Sequence, residues 1–343
     1  MEPSSRVTIR DVAARAGVSV ATVSKVINNR YGVASDTTAR VQAVIDELGY
    51  EASLVAQSLR NHRTNVIGIL VADLEPFSTE LLKGVADAIR GSGFELVIYS
   101  AGGHASERVG WERRYLSRLS GTLIDGAVLV TPTVVDVNYG TPIVAIDPHT
   151  GQSGLPTVDS DNLRGAQLAT SHLLGLGHRR IAMLTGRPDL ESAQLRERGY
   201  REALQAAGVP VDESLVRVGA YDPEISLDQA QQLLTAPSPP TAIFAANDVS
   251  AIATIEVATE LGLRVPADLS VVGFDNIPES ALCAPPLTTI DQPIREMGER
   301  SIQLLLQLIR GEQTEVTHIT LATALVVRQS TRALRAPSRK EPE

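Results

Sequence analysis

A chain of 343 residues, 43% of them hydrophobic, is too long for one typical folded unit and has enough apolar side chains for two or three separate cores. The formal net charge of -9 at pH 7 and a single cysteine, Cys283, exclude a uniformly basic coat and an internal disulfide. No apolar run approaches the roughly 18 residues that cross a bilayer, no signal segment opens the chain, and the six histidines lack metal-ligand spacing. Neither membrane, export, metal nor cofactor is therefore expected, and the location expected is cytoplasmic.

The charge is unevenly spread. Up to Asn65 there are eight Lys or Arg against six Asp or Glu, and the remainder carries 23 against 34. A small basic unit is joined to a large acidic one, which suits a protein whose small unit alone meets a polyanion.

Within the small unit, residues 8–28 read as two short helices crossing at a tight turn. Ala13 is small enough for the crossing, and Gly17 accepts the left-handed backbone that the turn needs. Val12, Ala16, Val18, Val23, Val26 and Ile27 give an apolar seam at helical spacing. A third helix, Asp36 to Leu48, presents Val41, Val44, Ile45 and Leu48 to that seam. Thr8 with Asp11 forms a capping-box pattern, and Ser19 is placed to cap the second helix, leaving an N-terminus suited to phosphate. Caps, spacing and terminal position together favour a DNA-binding helix-turn-helix over an ordinary helical hairpin.

Ser53 to Arg60 has the length of one or two helical turns, too short to be stable alone, and would fold only against a twin or DNA. Residues 61–65 read as linker. From Val66 the pattern alternates between strand and helix. Strands are expected at Val66–Ala72, Phe94–Ser100, Gly126–Val130 and Pro142–Ile146, with helices at Ser78–Arg90 and about Ser106–Leu119. A second series follows, with helices Asn162–Leu176, Ser192–Ala207, Ile225–Leu234 and Val249–Leu261. Its strands are Arg180–Thr185, Val216–Gly219, Ala242–Ala246 and Leu269–Phe274. Two such series predict two doubly wound parallel-sheet subdomains.

Sheets of this kind bind ligands beyond the carboxyl ends of their strands. There the sequence places Leu74 to Phe77, Asp147, Asn247 with Asp248, and Asp275 with Asn276. As a set they suit a ligand rich in hydroxyls; singly, each could merely cap the next helix. No Gly-rich phosphate loop, nucleophile elbow or acid/base constellation is present, so an enzyme is not expected.

From Thr8 to about Thr331 the chain resembles the LacI/GalR family of bacterial transcription regulators. The resemblance is carried in order by "VTIRDVAARAGVSVATVSKVIN", "VAQSLR", "GHRRIAMLTG", "RERGYREAL", "AIFAAND", "VPADLSVVGFDN" and "PPLTTIDQP". It implies an N-terminal all-α helix-turn-helix domain (1–51), a hinge helix and linker (52–64), and a periplasmic-binding-protein-like α/β core (65–335). The core divides into an N-subdomain (65–161 and 292–322) and a C-subdomain (162–291 and 323–335), and residues 336–343 are expected to be a disordered tail. It also implies a homodimer on palindromic double-stranded operator DNA, released by a small effector, expected to be a sugar.

By position, Val20, Ala21 and Lys25 match the family's base-reading residues, with Lys25 able to donate to guanine and the other two restricted to apolar contact. Thr8, Ser19, Thr22, Ser24 and Asn28 suit phosphates, and Leu59, with Arg60 beside it, matches the minor-groove wedge. In the core, Arg196 matches the family's sugar-binding arginine, although Arg198 and Arg201 lie close by. Asp147, Asn247, Asp275 and Gln292 match pocket positions, and Phe77, Asp161 and Tyr221 are weaker candidates, the aromatics by stacking on a sugar ring.

Three departures from the family pattern carry consequences. Ala34 stands where Ser caps the third helix, so Ser35 or Asp36 is expected to take over. Phe274 stands where Tyr is common, and no leucine heptads follow Arg332, so a dimer is expected rather than a tetramer. A co-repressor-dependent regulator and a sugar solute-binding protein are the alternatives.

Overall fold

The structure, a computed structural model, describes residues 7–27, 30–50, 63–102, 110–120, 123–134, 140–149, 154–313 and 316–334. The chain divides into two compact units, Met1–Thr64 and Asn65–Glu343.

The first unit holds helices α1 (Ile9–Ala16), α2 (Val20–Ile27) and α3 (Ser35–Leu48). Gly17 ends α1 in the left-handed region at φ 67°, where Val18 turns the chain and bonds back to the Ala13 carbonyl. Ser19 caps α2 by accepting the Thr22 N–H at 3.1 Å. The Asp11 carboxylate accepts from both the N–H and the hydroxyl of Thr8. Val12, Ala13, Ala16, Val23, Val26, Val41 and Val44 form the core. The cap of α3 differs from expectation. Ala34 keeps the cap position, Ser35 is already helical, and the Thr38 N–H and hydroxyl both satisfy the Ala34 carbonyl instead.

The second unit contains two six-stranded sheets. The first is made of β1 (Val66–Val71), β2 (Glu95–Ser100), β3 (Gly126–Val130), β4 (Ile143–Ile146) and β5 (Thr157–Ser160), joined by β11 (His318–Leu321). Its order is β2-β1-β3-β4-β5-β11, all parallel. Helices α4 (Pro76–Ile89) and α5 (Trp111–Leu119) belong to this lobe.

In the second sheet, β6 (Ile181–Thr185), β7 (Val216–Val218), β8 (Ala242–Ala245), β9 (Ser270–Asp275) and β10 (Thr288–Asp291) run in the order β7-β6-β8-β9-β10. Its edge strand β12 (Ala324–Val326) is antiparallel to β10, so this sheet is mixed where the alternation predicted a parallel one. Helices α6 (Asn162–Gly175), α7 (Glu191–Ala206), α8 (Pro223–Leu234), α9 (Asp248–Glu260) and α10 (Pro278–Leu282) go with it. Helix α11 (Ile294–Arg310) returns to the first lobe, where Met297, Ile302 and Leu305 join Ile67, Leu81 and Val144 in one core.

Up to β9 the expected elements are found to within a few residues, except β5, which the pattern does not predict; the short helix expected at Ser53–Arg60 and the start of the helix expected from about Ser106 lie outside the described residues. Beyond Phe274 the strands are only three or four residues long, too short for periodicity to declare them. The chain passes between the lobes three times, at Asp161, after Asp291 and at 322–323. Ser160 Oγ donates to Gln292 Oε1 at 2.6 Å, Asp161 N to Leu321 O at 2.8 Å, and Thr323 Oγ1 to Asp161 O at 3.2 Å, so the crossings are stitched together.

Candidate functional site

Helix α2 buries Val23 and Val26 and turns Val20, Ala21 and Lys25 outward, with Val20 40% exposed. Thr22 and Ser24 sit half-buried at its margin, and Thr8 and Ser19 are exposed. Asn28, Leu59 and Arg60 lie outside the described residues.

The second feature is a cavity of about 760 Å³ between the carboxyl ends of the two sheets. Five strand ends contribute to it: Thr131 after β3, Asp147 after β4, Tyr221 in the turn after β7, Asn247 shortly after β8, and Asp275 as the last residue of β9. Thr131, Asp147, Ala220, Tyr221 and Asp275 all have positive φ, between 45° and 109°. Side chains other than glycine rarely adopt this backbone, and it persists only where the surroundings enforce it. Here it turns the strand-end side chains into the cavity.

Arg196 is the most constrained group in the wall. It is 4% exposed, its Nε donates to Asn162 Oδ1 at 2.8 Å, its Nη2 to Gln292 Oε1 at 2.9 Å, and its Nη1 to the Ala246 carbonyl and to Asp275 at 3.3 Å. The Phe274 ring lies under the guanidinium at 3.7 Å, a cation–π contact. Helix α7 reaches this depth because Gly199 lets it lie against α6, where a Cβ would come within 2.4 Å of the Leu163 carbonyl oxygen. Arg198 and Arg201 face away, Arg198 paired with Glu202 and Arg201 with Glu197 and Glu213.

Charge in the cavity is dominated by carboxylates. Burial and repulsion from Asp159 push Asp147 up to about 7, against the attraction of Arg196. Burial pushes Asp275 up to about 6, again opposed by Arg196. Glu75, at the cleft surface, is pushed up to about 7 by partial loss of solvent among the crowded cleft groups and by repulsion from Asp275 and Asp73. Burial lowers the pKa of His149, whose Nδ1 lies 3.1 Å from Asp189 of the opposite lobe.

Of the residues singled out in the sequence, Phe77, Asp147, Arg196, Tyr221, Asn247 and Asp275 line one cavity. Two do not. Gln292 is buried behind the wall, where its Oε1 holds Arg196 and Ser160 together. Asp161 caps α6 by accepting the Arg164 N–H at 2.9 Å and borders a separate, smaller pocket. Asn247 also caps a helix, through Oδ1 to Ser250 N, which leaves its Nδ2 as the donor toward the cavity. Asp248 is fully buried and fixes the neighbouring turn by accepting from Ile277 N and Thr289 Oγ1.

The sequence reading passes over Trp111, Thr131, Thr133, His149 and Arg187, which also line the cavity. Thr131 was within reach, since it follows β3 as Asp147 follows β4. Trp111 gives no such signal, because it also packs in the core of the first lobe.

No helix among the described residues is long and apolar enough to cross a membrane. Residues 8–53 match the model for bacterial regulatory proteins of the lacI family, and residues 170–331 match that for a periplasmic binding protein-like domain. The chain is 36% identical to the HTH-type transcriptional regulator DegA of Bacillus subtilis, over 96% of this chain and 99% of that one. Among solved structures it resembles a complex of the transcriptional regulator CelR with cellobiose (34% identity, TM-score 0.70, covering 95% of this chain and 100% of that one). It also resembles a lac repressor dimer bound to operator and an anti-inducer (30% identity, TM-score 0.81, covering 96% and 100%). A helix-turn-helix ahead of a strand-end cavity, with similarity spanning both, makes this chain a member of the lacI family, whose members are DNA-binding transcriptional regulators and not enzymes.

Proposed function

We propose that the protein is a cytoplasmic repressor of sugar uptake or catabolism genes, binding a palindromic operator as a dimer and released when a small sugar fills the cleft. The observation that carries this reading is the cavity wall itself. Strand-end carboxylates, an amide and a buried arginine converge from both sheets on one space, and hydroxyl groups satisfy such a set by donating and accepting at once. The lac repressor complex with operator and the CelR complex with cellobiose support the two halves of the reading.

In this assignment Lys25 donates to a guanine edge while Val20 and Ala21 make apolar contact in the major groove. Thr8, Ser19, Thr22, Ser24 and Asn28 hold phosphates, and Leu59 and Arg60 act in the minor groove. Arg196, Asp147, Asn247 and Asp275 take the sugar hydroxyls, and Phe77 or Tyr221 packs on a ring face. Gln292 serves the effector only by orienting Arg196. The functional division follows residues 1–51, 52–64 and 65–335.

The test is binding of the purified protein to a palindromic fragment from its own gene neighbourhood, followed by fluorescence anisotropy at several salt concentrations with and without sugars. Salt-sensitive binding that a sugar weakens is the expected result, with a coupling of about 1 to 3 kcal/mol. Absence of salt-sensitive binding overturns the reading, and a sugar that tightens binding makes the protein co-repressor-dependent.

A further inference from the structure

The chain crossings join the two lobes on one side, and a side-chain contact ties them at another place. His149 stands in the turn after β4 of the first lobe, its side chain 7% exposed. Its Nδ1 lies 3.1 Å from Oδ2 of Asp189, in the loop between β6 and α7 of the second lobe. The ion pairs Arg196–Asp275, Arg201–Glu213 and Arg295–Glu80, by contrast, each stay within one lobe.

Both ends of the contact are held. The Asp189 side chain is 54% exposed, and an exposed carboxylate free to change rotamer makes a weak partner. Here Arg187 fixes it, Nε donating to Oδ1 at 3.2 Å and Nη2 to Oδ2 at 2.8 Å, while the Leu190 N–H closes the turn on the Arg187 carbonyl at 3.1 Å. On the other side the His149 N–H donates to the Pro132 carbonyl at 3.0 Å, which pins the turn after β4 to the loop after β3. Groups already fixed lose little further entropy when they meet. Burial keeps the imidazole pKa low, so a neutral ring donates to an ionised carboxylate, the stronger kind of hydrogen bond. The contact also borders the effector space, since Arg187 and His149 both line the cavity. It is made wholly of protein atoms and needs no effector.

We propose that His149 and Asp189 form a clasp across the cleft, which favours the lobe arrangement that an effector would otherwise have to impose and so sets how much effector is needed to release the operator. The clasp stands on its geometry, and its effect on DNA rests on the sugar-release reading. A ligand shifts a two-state equilibrium only by its difference in affinity for the two states, and whatever part of that shift the clasp supplies the effector need not. A broken clasp therefore means tighter operator binding by the free protein.

The experiment compares hydrogen–deuterium exchange of the full-length wild type, His149→Phe and Asp189→Asn, read by mass spectrometry on peptides around His149 and around Arg187 to Leu190. His149→Phe keeps a ring and removes the donor, and Asp189→Asn keeps the shape and removes the charge. Each is expected to speed exchange about 3- to 10-fold in the turn of the opposite lobe as well as in its own. Asp268→Asn, which breaks a pair with Arg264 inside the second lobe, is the control and should leave both turns as they were. In anisotropy on the palindromic fragment both clasp variants are expected to bind about 3-fold or more tighter than wild type at equal salt. Two substitutions from opposite lobes keep the test standing if melting shows that one fails to fold.

Exchange that quickens only in the substituted turn overturns the clasp. Coupled exchange with operator binding unchanged or weaker overturns its effect on DNA and leaves the sugar-release reading intact. Absence of salt-sensitive DNA binding in every form overturns the sugar-release reading and the DNA half of the inference together, while exchange still decides the clasp.

Discussion

In the proposed reading the outward face of α2 and the wall of the cleft are both recognition surfaces, built in opposite ways. On α2 the side chains that face outward, Val20, Ala21 and Lys25, are exposed, while the valines that hold the helix in place lie on its other side. In the cleft the same groups do both jobs. Arg196 holds α7 to β8 and β9 and also faces the cavity, and Asp275 is at once its partner and a wall residue. Recognition and stability are therefore separable on α2 and inseparable in the cleft.

The largest expected effect comes from Arg196→Leu. Removing one member of a buried pair costs about 3 to 5 kcal/mol, less where Asp275 escapes by taking a proton, and shifts melting of the core on the order of 10 °C. Calorimetry should show effector binding lost along with that stability. A variant that loses binding at an unchanged melting temperature would break the comparison.

Lys25→Ala should act in the opposite way. Operator affinity is expected to fall by about 1 to 3 kcal/mol, with relaxed preference at one base pair, while the melting temperature moves by less than the equivalent of ~0.5 kcal/mol. Anisotropy on operator variants and a thermal scan check both halves.

Asp147→Asn tests the cleft through pH. With its pKa raised from 3.8 to about 7 in the folded state, wild-type Asp147 contributes most to stability below pH 4, where both states hold the proton. That contribution is lost as pH rises toward 7. The variant, which cannot ionise, should therefore gain in melting temperature over wild type between pH 4 and 7 and hold a constant advantage above. Parallel pH profiles for the two proteins would show that Asp147 is not desolvated.

The smallest effect is expected for Asp161→Ala, which removes the cap of α6 at a cost of about 1 kcal/mol. Effector affinity, measured by calorimetry, should be unchanged. A matching loss of affinity would return Asp161 to the binding site.

Much of this was legible in sequence, for identifiable reasons. Gly17 and Ser19 specify a turn and a cap through their own backbone and side-chain chemistry, and the apolar runs of β1 and β8 state their burial directly. Strand-end positions such as Asp147, Asn247 and Asp275 follow from the topology of parallel sheets. The distinction between lining a cavity and standing behind its wall does not follow. Gln292 and Asp275 both belong to the motif residues matched by resemblance, yet one faces the space and the other holds the arginine that does. Trp111 is hidden for a related reason. In "WERRYL" it looks like the apolar side of a helix, which it also is, packed edge-on against Tyr115 at 5.9 Å.

The three stitched crossings between the lobes have a mechanical consequence. Three short tethers lying side by side permit one lobe to swing about the line through them and resist sliding or twisting, so the fold offers the cleft a single axis of opening. Gln292 sits on that axis, and the same oxygen that receives Ser160 from the crossing receives Arg196 from the wall. A pull on the guanidinium is thus applied at the pivot.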